Sequence, residues 1–150
     1  MALVDRHTND FLQEIKKLDP ELRRWVNGSQ GLFHVQIGEL ARWVRTAMKE
    51  GRLVDFVKAN EIVARYFLPN DKRLEEFNNA VFVSYLEHLL FDDEAGAQAW
   101  EVLPSNLQEG HREIMAYMEA MRPKYPEHLT RKECFQARKK RSSPSETSHR

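Results

Sequence analysis

The chain lacks sequence features that several classes of protein require. It contains one cysteine, Cys134, so an intrachain disulfide is impossible and a reducing compartment is the simplest setting. Its six glycines are scattered, so there is no glycine-rich phosphate loop. No basic segment followed by an apolar core opens the sequence, and the longest apolar stretch is too short to span a bilayer. We therefore expect a soluble, cytoplasmic protein that contacts no membrane and needs no cofactor.

What is present favours helix. Proline and glycine number six each, whereas Leu, Ala, Glu, Lys and Arg are abundant. A chain of 150 residues with 41% hydrophobic content is long enough to bury a self-sufficient core. We expect a single all-helical domain over residues 1–128. A basic, largely disordered C-terminal tail is expected over residues 129–150, because its last part lacks aromatic residues to bury.

The stretch from Asn78 to Phe91 is the most apolar part of the chain. If it is wound as a helix, apolar side chains cover most of its circumference, so other helices must surround it. The sequence therefore predicts an all-α fold, a six- to seven-helix orthogonal or solenoid-like (HEAT-like) bundle around one central apolar helix. Val81, Tyr85 and Leu89 are expected to be buried in its core.

Capping and breaking signals divide the rest of the chain into helices. Asp10 and Gln13 can form a capping box, which predicts a short first helix ending near Leu18. Asp19 and Pro20 then supply the cap and the first residue of a second helix. The central apolar helix is expected to end near residues 92–93. The other predicted helices cover residues 32–49, 53–67, 95–103 and 105–121.

Two neighbouring helices share a weak repeat. Residues 52–56 and 73–77 both read Arg-Leu-x-acid-Phe, 21 residues apart. Helix hairpins of similar length stacked side by side would give a solenoid-like layer. Chance similarity between two amphipathic helices explains the match about as well.

The zero net charge conceals an asymmetry. Residues 131–150 carry seven Lys or Arg against two Glu, a net +5, so residues 1–130 carry −5. The basic cluster of the tail consists of Arg138, Lys139, Lys140 and Arg141. It could contact nucleic acid through counterion release, but four charges without interleaved aromatic residues give little affinity. A solubilising role for the tail is therefore favoured.

Acidic residues cluster at both ends of the apolar stretch. They are Asp71, Glu75, Glu76, Asp92, Asp93 and Glu94. The helix dipole explains the first group, and capping of the following short helix explains the second. If both groups lie on one surface, they form a negative patch that would speed encounter with a basic partner. We interpret these six residues as the candidate partner-binding site.

The candidate catalytic and metal-binding groups have ordinary explanations. Neither His88, beside Glu87, nor His34 has the second histidine four residues away that a metalloprotease helix requires. Ser84 lies outside any Gly-x-Ser-x-Gly turn, so it lacks the setting of a nucleophile. The sequence therefore assigns no catalytic residue and no metal ligand.

Four polar residues are interpreted as structural: Asn78, Asn79, His34 and Glu87. The two asparagines interrupt a segment that is otherwise suited to burial. One of them is expected to face the core and to bond to a neighbouring backbone or side chain, for example on the helix that carries Gly38 or Asn60.

Three motifs resemble a known family. They are Leu18-Asp19-Pro20-Glu21-Leu22, then His34 to Arg42 with Ile-Gly-Glu-Leu at its centre, then Asn78-Asn79-x-x-x-Val-Ser-Tyr-Leu-Glu. Together they resemble a family of small bacterial all-helical proteins of unknown function, over residues 10–110. The resemblance implies a helical fold and a bacterial cytoplasmic setting, and it assigns no site. Small acidic helical proteins of this sort also resemble toxin-neutralising immunity proteins, at the level of fold.

The functional interpretation is a non-enzymatic protein-interaction module, which could neutralise a basic partner such as a toxin. One alternative is an accessory protein that contacts nucleic acid through the tail. Another is an enzyme with an unrecognised site.

Overall fold

A computed structural model describes residues 3–122, with side chains from Asp5 onward. All regular structure in this range is helical, which confirms the predicted all-α class. The α-helices are α1 (Leu3–Lys16), α2 (Pro20–Gly28), α3 (Phe33–Lys49), α4 (Leu53–Tyr66), α5 (Glu75–Ala80), α6 (Glu94–Glu101) and α7 (Ser105–Met121). Cys134, the basic cluster at 138–141 and the predicted domain end near residue 128 lie outside the described residues.

The chain forms two compact units, Met1–Met118 and Glu119–Arg150. In the second unit the structure describes residues 119–122, where Arg122 and Glu119 form an ion pair of 3.0 Å. The first unit contains one core cluster, to which every helix from α1 to α7 contributes side chains. Its largest fully buried side chains are Tyr85, Phe11, Phe56, Phe67, Phe77, Ile15, Leu22, Ile37, Leu40, Leu86, Leu89 and Leu107.

Local signals position α2, α3 and α4 as predicted. Asp19 Oδ2 accepts hydrogen bonds from the backbone N–H of Glu21 at 2.9 Å and of Leu22 at 3.2 Å, and Pro20 occupies the first turn. Gly51, after α3, has φ +71°, a left-handed conformation that glycine adopts without a steric penalty. The chain therefore turns there directly into α4.

The first helix begins earlier than predicted. It starts at Leu3, so the capping box at Asp10 and Gln13 lies within the helix and does not open it. Tertiary contacts stabilise the additional turns. His7 Nε2 lies 2.8 Å from the Tyr66 carbonyl oxygen, and the His7 ring packs edge-on against Phe77 with ring centroids 4.6 Å apart. The prediction of the helix start was wrong because it used the local signal alone.

The predicted central helix is not one regular helix. Residues 72–88, which we call the central segment, contain a 3-10 turn (Lys72–Leu74), α5, a π turn (Val81–Tyr85) and a second 3-10 turn (Leu86–His88). Val81, Tyr85 and Leu89 are fully buried, as predicted. Val83, however, is 40% exposed and Leu90 is 61% exposed. The stretch is therefore not surrounded on all sides, and its helical part ends at His88 rather than near residue 92.

A buried hydrogen-bond chain holds the π turn. The Tyr85 hydroxyl donates to Asn60 Oδ1 at 2.5 Å, and Asn60 Nδ2 donates to the Phe56 carbonyl at 2.8 Å. Burial raises the pKa of Tyr85, so its hydroxyl remains protonated and can donate. Tyr85 and Leu86, where the π turn meets the second 3-10 turn, are both fully buried.

The weak repeat does not produce equivalent helices. Leu53, in the first copy, is 40% exposed, whereas the matching Leu74 is 2% exposed. The first copy opens the 14-residue helix α4, and the second forms a 3-10 turn followed by six residues of α5. The similarity is therefore one of sequence and does not extend to environment.

Candidate functional site

The loop that follows α4 is held by an asparagine clamp. Asn78 Nδ2 donates to the Leu68 carbonyl at 2.8 Å, and Asn78 Oδ1 accepts from the Leu68 N–H at 3.2 Å. Asn78 is buried and Asn79 is exposed. The inward asparagine therefore bonds to the loop backbone, not to the helices carrying Gly38 or Asn60.

A second asparagine holds the same chain segment from α7. Asn106 Nδ2 donates to the Ala64 carbonyl at 2.9 Å and reaches the Phe67 carbonyl at 3.5 Å. One turn further along α7, a Cβ atom on Gly110 would lie 2.9 Å from Leu86 Cδ1 and 3.0 Å from Phe67 Cε2. Glycine is therefore what permits α7 to approach the end of α4 and the central segment this closely.

Two surface cavities meet at this clamped loop. The first, of about 350 Å³, lies between the loop and α5, and the second, of about 300 Å³, lies between the loop and α7. Pro69 and Phe82 line both cavities, and the Phe82 ring packs edge-on against Phe67 with centroids 5.1 Å apart. We call the residues that line these two cavities the Phe82 surface. They are Phe67, Pro69, Asn70, Asp71, Lys72, Glu75, Asn78, Asn79, Phe82, Asn106, Glu109, Gly110 and Glu113.

The Phe82 surface carries uncompensated negative charge. Glu75 on α5 and Glu109 and Glu113 on α7 are exposed, and none forms an ion pair within the part of the chain that the structure describes. Asp71 differs, because its carboxylate accepts three hydrogen bonds from Arg73, at 2.9 and 3.0 Å. The Arg73 guanidinium is the largest cause of the lowered pKa of Asp71. The carboxylates of the Phe82 surface that have no ion-pair partner among the described residues are therefore those of the three glutamates.

The second predicted acidic group faces a different cavity. Asp92 and Asp93 line a cavity of about 320 Å³ together with Arg42, Arg45 and Lys49 of α3, which we call the α3 groove. Asp93 also caps α6, because its Oδ1 accepts from the Gly96 N–H at 2.6 Å. Among the described residues, none lines both the α3 groove and the Phe82 surface. Glu76 and Glu94 are exposed.

The two other residues interpreted as structural lie near the start of α3 and on the second 3-10 turn. His34 is exposed, and its Nδ1 lies 2.9 Å from Ser84 Oγ, which links the first turn of α3 to the π turn. No further described group bonds to the His34 ring, so the pair lacks the orienting partner of a catalytic triad. Glu87 is half-buried and forms no hydrogen bond with a described residue. Over residues 5–122, no three His, Cys, Asp or Glu side chains converge in the manner of a metal site.

An aromatic cluster connects α7 to the end of the central segment. His111 Nε2 lies 2.8 Å from the Leu89 carbonyl oxygen, and its ring contacts Phe91 at 5.0 Å and Trp100 at 5.4 Å between centroids. Burial lowers the pKa of His111, while the bond to Leu89 opposes that shift. The cluster stabilises the neutral imidazole.

Sequence reasoning missed the α7 half of the Phe82 surface. Glu109 and Glu113 lie one helical turn apart, but Arg112 stands three positions after Glu109, where it could pair with it, so the sequence does not mark Glu109 as unpaired. In the structure the Arg112 guanidinium lies over the Trp100 ring instead, 5.3 Å from its centroid. The proximity of the two glutamates to Phe82 could not be read from the sequence, because it depends on the packing of α7 against Phe67 and Leu86.

The fold and this surface define a small all-α protein in which two cavities with unpaired glutamates meet at a half-buried phenylalanine. Over residues 8–122 the chain matches a family described as a domain of unknown function, DUF7674, and it belongs to that family. Comparisons with curated proteins and with solved structures found no match. None of the helices in the described residues combines the length and apolar character needed to cross a membrane.

Proposed function

We propose that this chain is a non-enzymatic protein-interaction module that binds a basic protein partner through the Phe82 surface. The observation that supports this most is the meeting of two cavities at Phe82, with unpaired glutamates along both. An apolar centre with a charged and polar periphery is the usual anatomy of a protein interface. Negative charge on that periphery favours a positive partner and raises its association rate.

The size of the cavities favours a macromolecular partner. Each measures about 300 to 350 Å³, at the lower limit of the range in which pockets enclose small molecules. One cavity therefore has room for one or two side chains of a partner rather than for a whole ligand. The Asn78 and Asn106 clamps hold the loop between the cavities, so a partner would meet a surface that is already ordered.

The second acidic group is less suited to a basic partner. Asp92 and Asp93 share the α3 groove with Arg42, Arg45 and Lys49, and these cations weaken the negative potential there. Of the predicted residues we therefore assign partner binding to Glu75 and extend it to the glutamates of α7, while Asp71, paired with Arg73, lines the same cavity as Glu75. The groups at Glu76, Asp92, Asp93 and Glu94 would contribute at most to long-range attraction.

More specifically, we propose that the partner is a toxin that this protein neutralises in a bacterial cytoplasm. The single cysteine supports a reducing compartment, and the resemblance to small bacterial helical proteins supports the source. If so, co-expression with the product of the neighbouring gene should rescue cell growth, and the rescue should depend on the Phe82 surface.

Affinity capture from the source cells, with cross-linking and mass spectrometry, tests the function. A specific basic protein should be recovered by the full-length wild type, and its association rate should fall at high salt. The variant Glu75→Lys/Glu109→Lys should associate at least about tenfold more slowly and with a flatter salt dependence. The control Glu61→Lys/Glu101→Lys, with the same charge change at exposed residues that do not line the Phe82 surface, should associate at nearly the wild-type rate. Equal rates for both variants would refute the assignment to the Phe82 surface.

A further inference from the structure

The two cavities of the Phe82 surface have apolar side chains at their junction. Phe82 is half-buried and Pro69 is exposed, and buried Phe67 lies behind them in the second cavity. The exposed Pro69 and the half-buried Phe82 ring, which line both cavities, form a small apolar patch, and a partner that covers it gains hydrophobic stabilisation.

Negative charge lies on both sides of that junction. Glu75 lines the cavity beside α5, and Glu109 and Glu113 line the cavity beside α7. Among the described residues that line the two cavities, Lys72 is the only basic one. A segment that crosses Phe82 would therefore meet carboxylates before and after it, whereas an anionic partner such as a nucleic acid would be repelled.

We propose that the Phe82 surface binds one continuous polypeptide segment of the partner, in which an aromatic or large aliphatic side chain packs against Phe82 and Pro69 and is flanked on both sides by Lys or Arg. This inference rests on the proposed function and names the chemistry that the partner must present. The apolar side chain supplies most of the affinity, since buried aromatic anchors dominate interface energetics. The flanking cations pair with Glu75 on one side and with Glu109 and Glu113 on the other, and they fix the position of the segment.

Synthetic peptides test this chemistry without the native partner. The probe has two lysines, a glycine, one tryptophan, a glycine and two lysines, with both ends blocked. Three comparison probes replace the tryptophan by serine, replace all lysines by glutamate, or consist of the polyamine spermine. Binding to the ¹⁵N-labelled full-length chain is followed by chemical shifts of the Asn79, Asn106 and Gly110 amides, which lie on the surface in question.

The tryptophan probe should shift these amides and bind at least about tenfold more tightly than the serine probe. The glutamate probe should not bind. The variant Glu109→Lys/Glu113→Lys should weaken the tryptophan probe by about tenfold, whereas Glu61→Lys/Glu101→Lys should leave it nearly unchanged. Phe82→Leu, which keeps an apolar side chain and the fold, should weaken the tryptophan probe more than the serine probe.

Several results would overturn the inference. Equal affinity of the tryptophan and serine probes would show that Phe82 provides no anchor site. Binding of spermine as tight as that of the tryptophan probe would show recognition of small cations and not of a polypeptide. Shifts confined to residues of the α3 groove would place the site elsewhere. If the native partner requires Glu75 and Glu109 but lacks a segment of this kind, the inference fails while the proposed function stands.

Discussion

Two regions of the first unit are equally well buried but differ in regularity. The α3–α4 hairpin consists of uninterrupted helices of 17 and 14 residues joined at Gly51. The central segment changes helical type three times within residues 72–88. The buried side chains of both regions belong to one core cluster. Irregular backbone in this protein therefore does not reflect a lack of buried packing contacts.

The spacing of apolar residues predicts the backbone of the α3–α4 hairpin but not that of the central segment. In the hairpin the buried residues recur at helical spacing, so a regular helix buries them all. Val81, Tyr85 and Leu86 of the central segment and Leu89 directly after it are also fully buried, at spacings that one face of an α-helix would accommodate. Apolar spacing alone therefore does not predict the change of helical type. The π turn ends at Tyr85, whose hydroxyl donates to Asn60 Oδ1 of α4, and local sequence does not encode this contact.

The largest expected effect comes from removing a core side chain from α3 and another from the residue that directly follows the central segment. Leu89→Ala and Leu40→Ala delete fully buried side chains, and each should lower the free energy of unfolding by about 2–5 kcal/mol. Chemical denaturation of both variants measures this. A cost below about 1 kcal/mol for Leu89→Ala alone would mean that the central segment is loosely packed, and the comparison between equally buried regions would fail.

Removing the hydroxyl from the π turn comes next. Tyr85→Phe leaves Asn60 Oδ1 buried without its donor, which should cost about 1–3 kcal/mol of unfolding free energy. The double variant Tyr85→Phe/Asn60→Leu removes both polar partners and should recover part of that loss, although Asn60 also bonds to Phe56. A double-mutant cycle by urea denaturation gives the coupling. Independent, additive losses would mean that the hydrogen bond does not stabilise the turn.

Alanine substitutions at two glycines should change the stability of the protein in opposite directions. A methyl group on Gly38 in α3 would meet no neighbouring side chain or other helix within 4 Å, so Gly38→Ala should raise stability by about 0.5–1 kcal/mol through helix propensity. Gly110→Ala would place a methyl group 2.9 Å from Leu86 Cδ1 and should lower stability by about 1 kcal/mol or more. The melting temperatures of both variants, compared with that of wild type, measure these two changes. If Gly110→Ala is also stabilising, α7 does not pack closely on the central segment.

The smallest expected effect is a pH dependence at His111. Burial lowers its pKa below the ordinary 6.5, so the unfolded chain binds the proton more readily than the folded chain. Above pH 6.5 the neutral His111 therefore contributes its full stabilisation to the folded state. This stabilisation is lost as the pH falls from 6.5 to the lower pKa that His111 has in the folded state. The melting temperature measured between pH 7.5 and 5 should therefore fall less steeply in His111→Gln than in wild type.

The exposed His88 is the control for that experiment. His88→Gln removes a histidine outside the aromatic cluster of His111, and its profile is measured alongside that of His111→Gln. Identical profiles for His111→Gln and wild type would show that burial against Phe91 and Trp100 does not lower the pKa of His111.

The amino-acid sequence by itself determined the all-α class, the starts of α2 and α4, and the burial of Val81, Tyr85 and Leu89. These features depend on caps, glycine turns and apolar spacing within a few residues, and such signals act locally. The charge asymmetry and the acidic residues on either side of the apolar stretch were likewise visible in the sequence.

The tertiary structure alone decided the start of α1, the π turn and the composition of the Phe82 surface. His7 extends α1 because Tyr66, 59 residues away, offers a carbonyl oxygen, and no local rule contains that contact. Glu109 meets Pro69 and Phe82 only because Gly110 lets α7 approach Phe67 and Leu86. Contacts between residues distant in sequence depend on the whole set of packed side chains, and this is why local patterns predicted the helices and not the surface that they form.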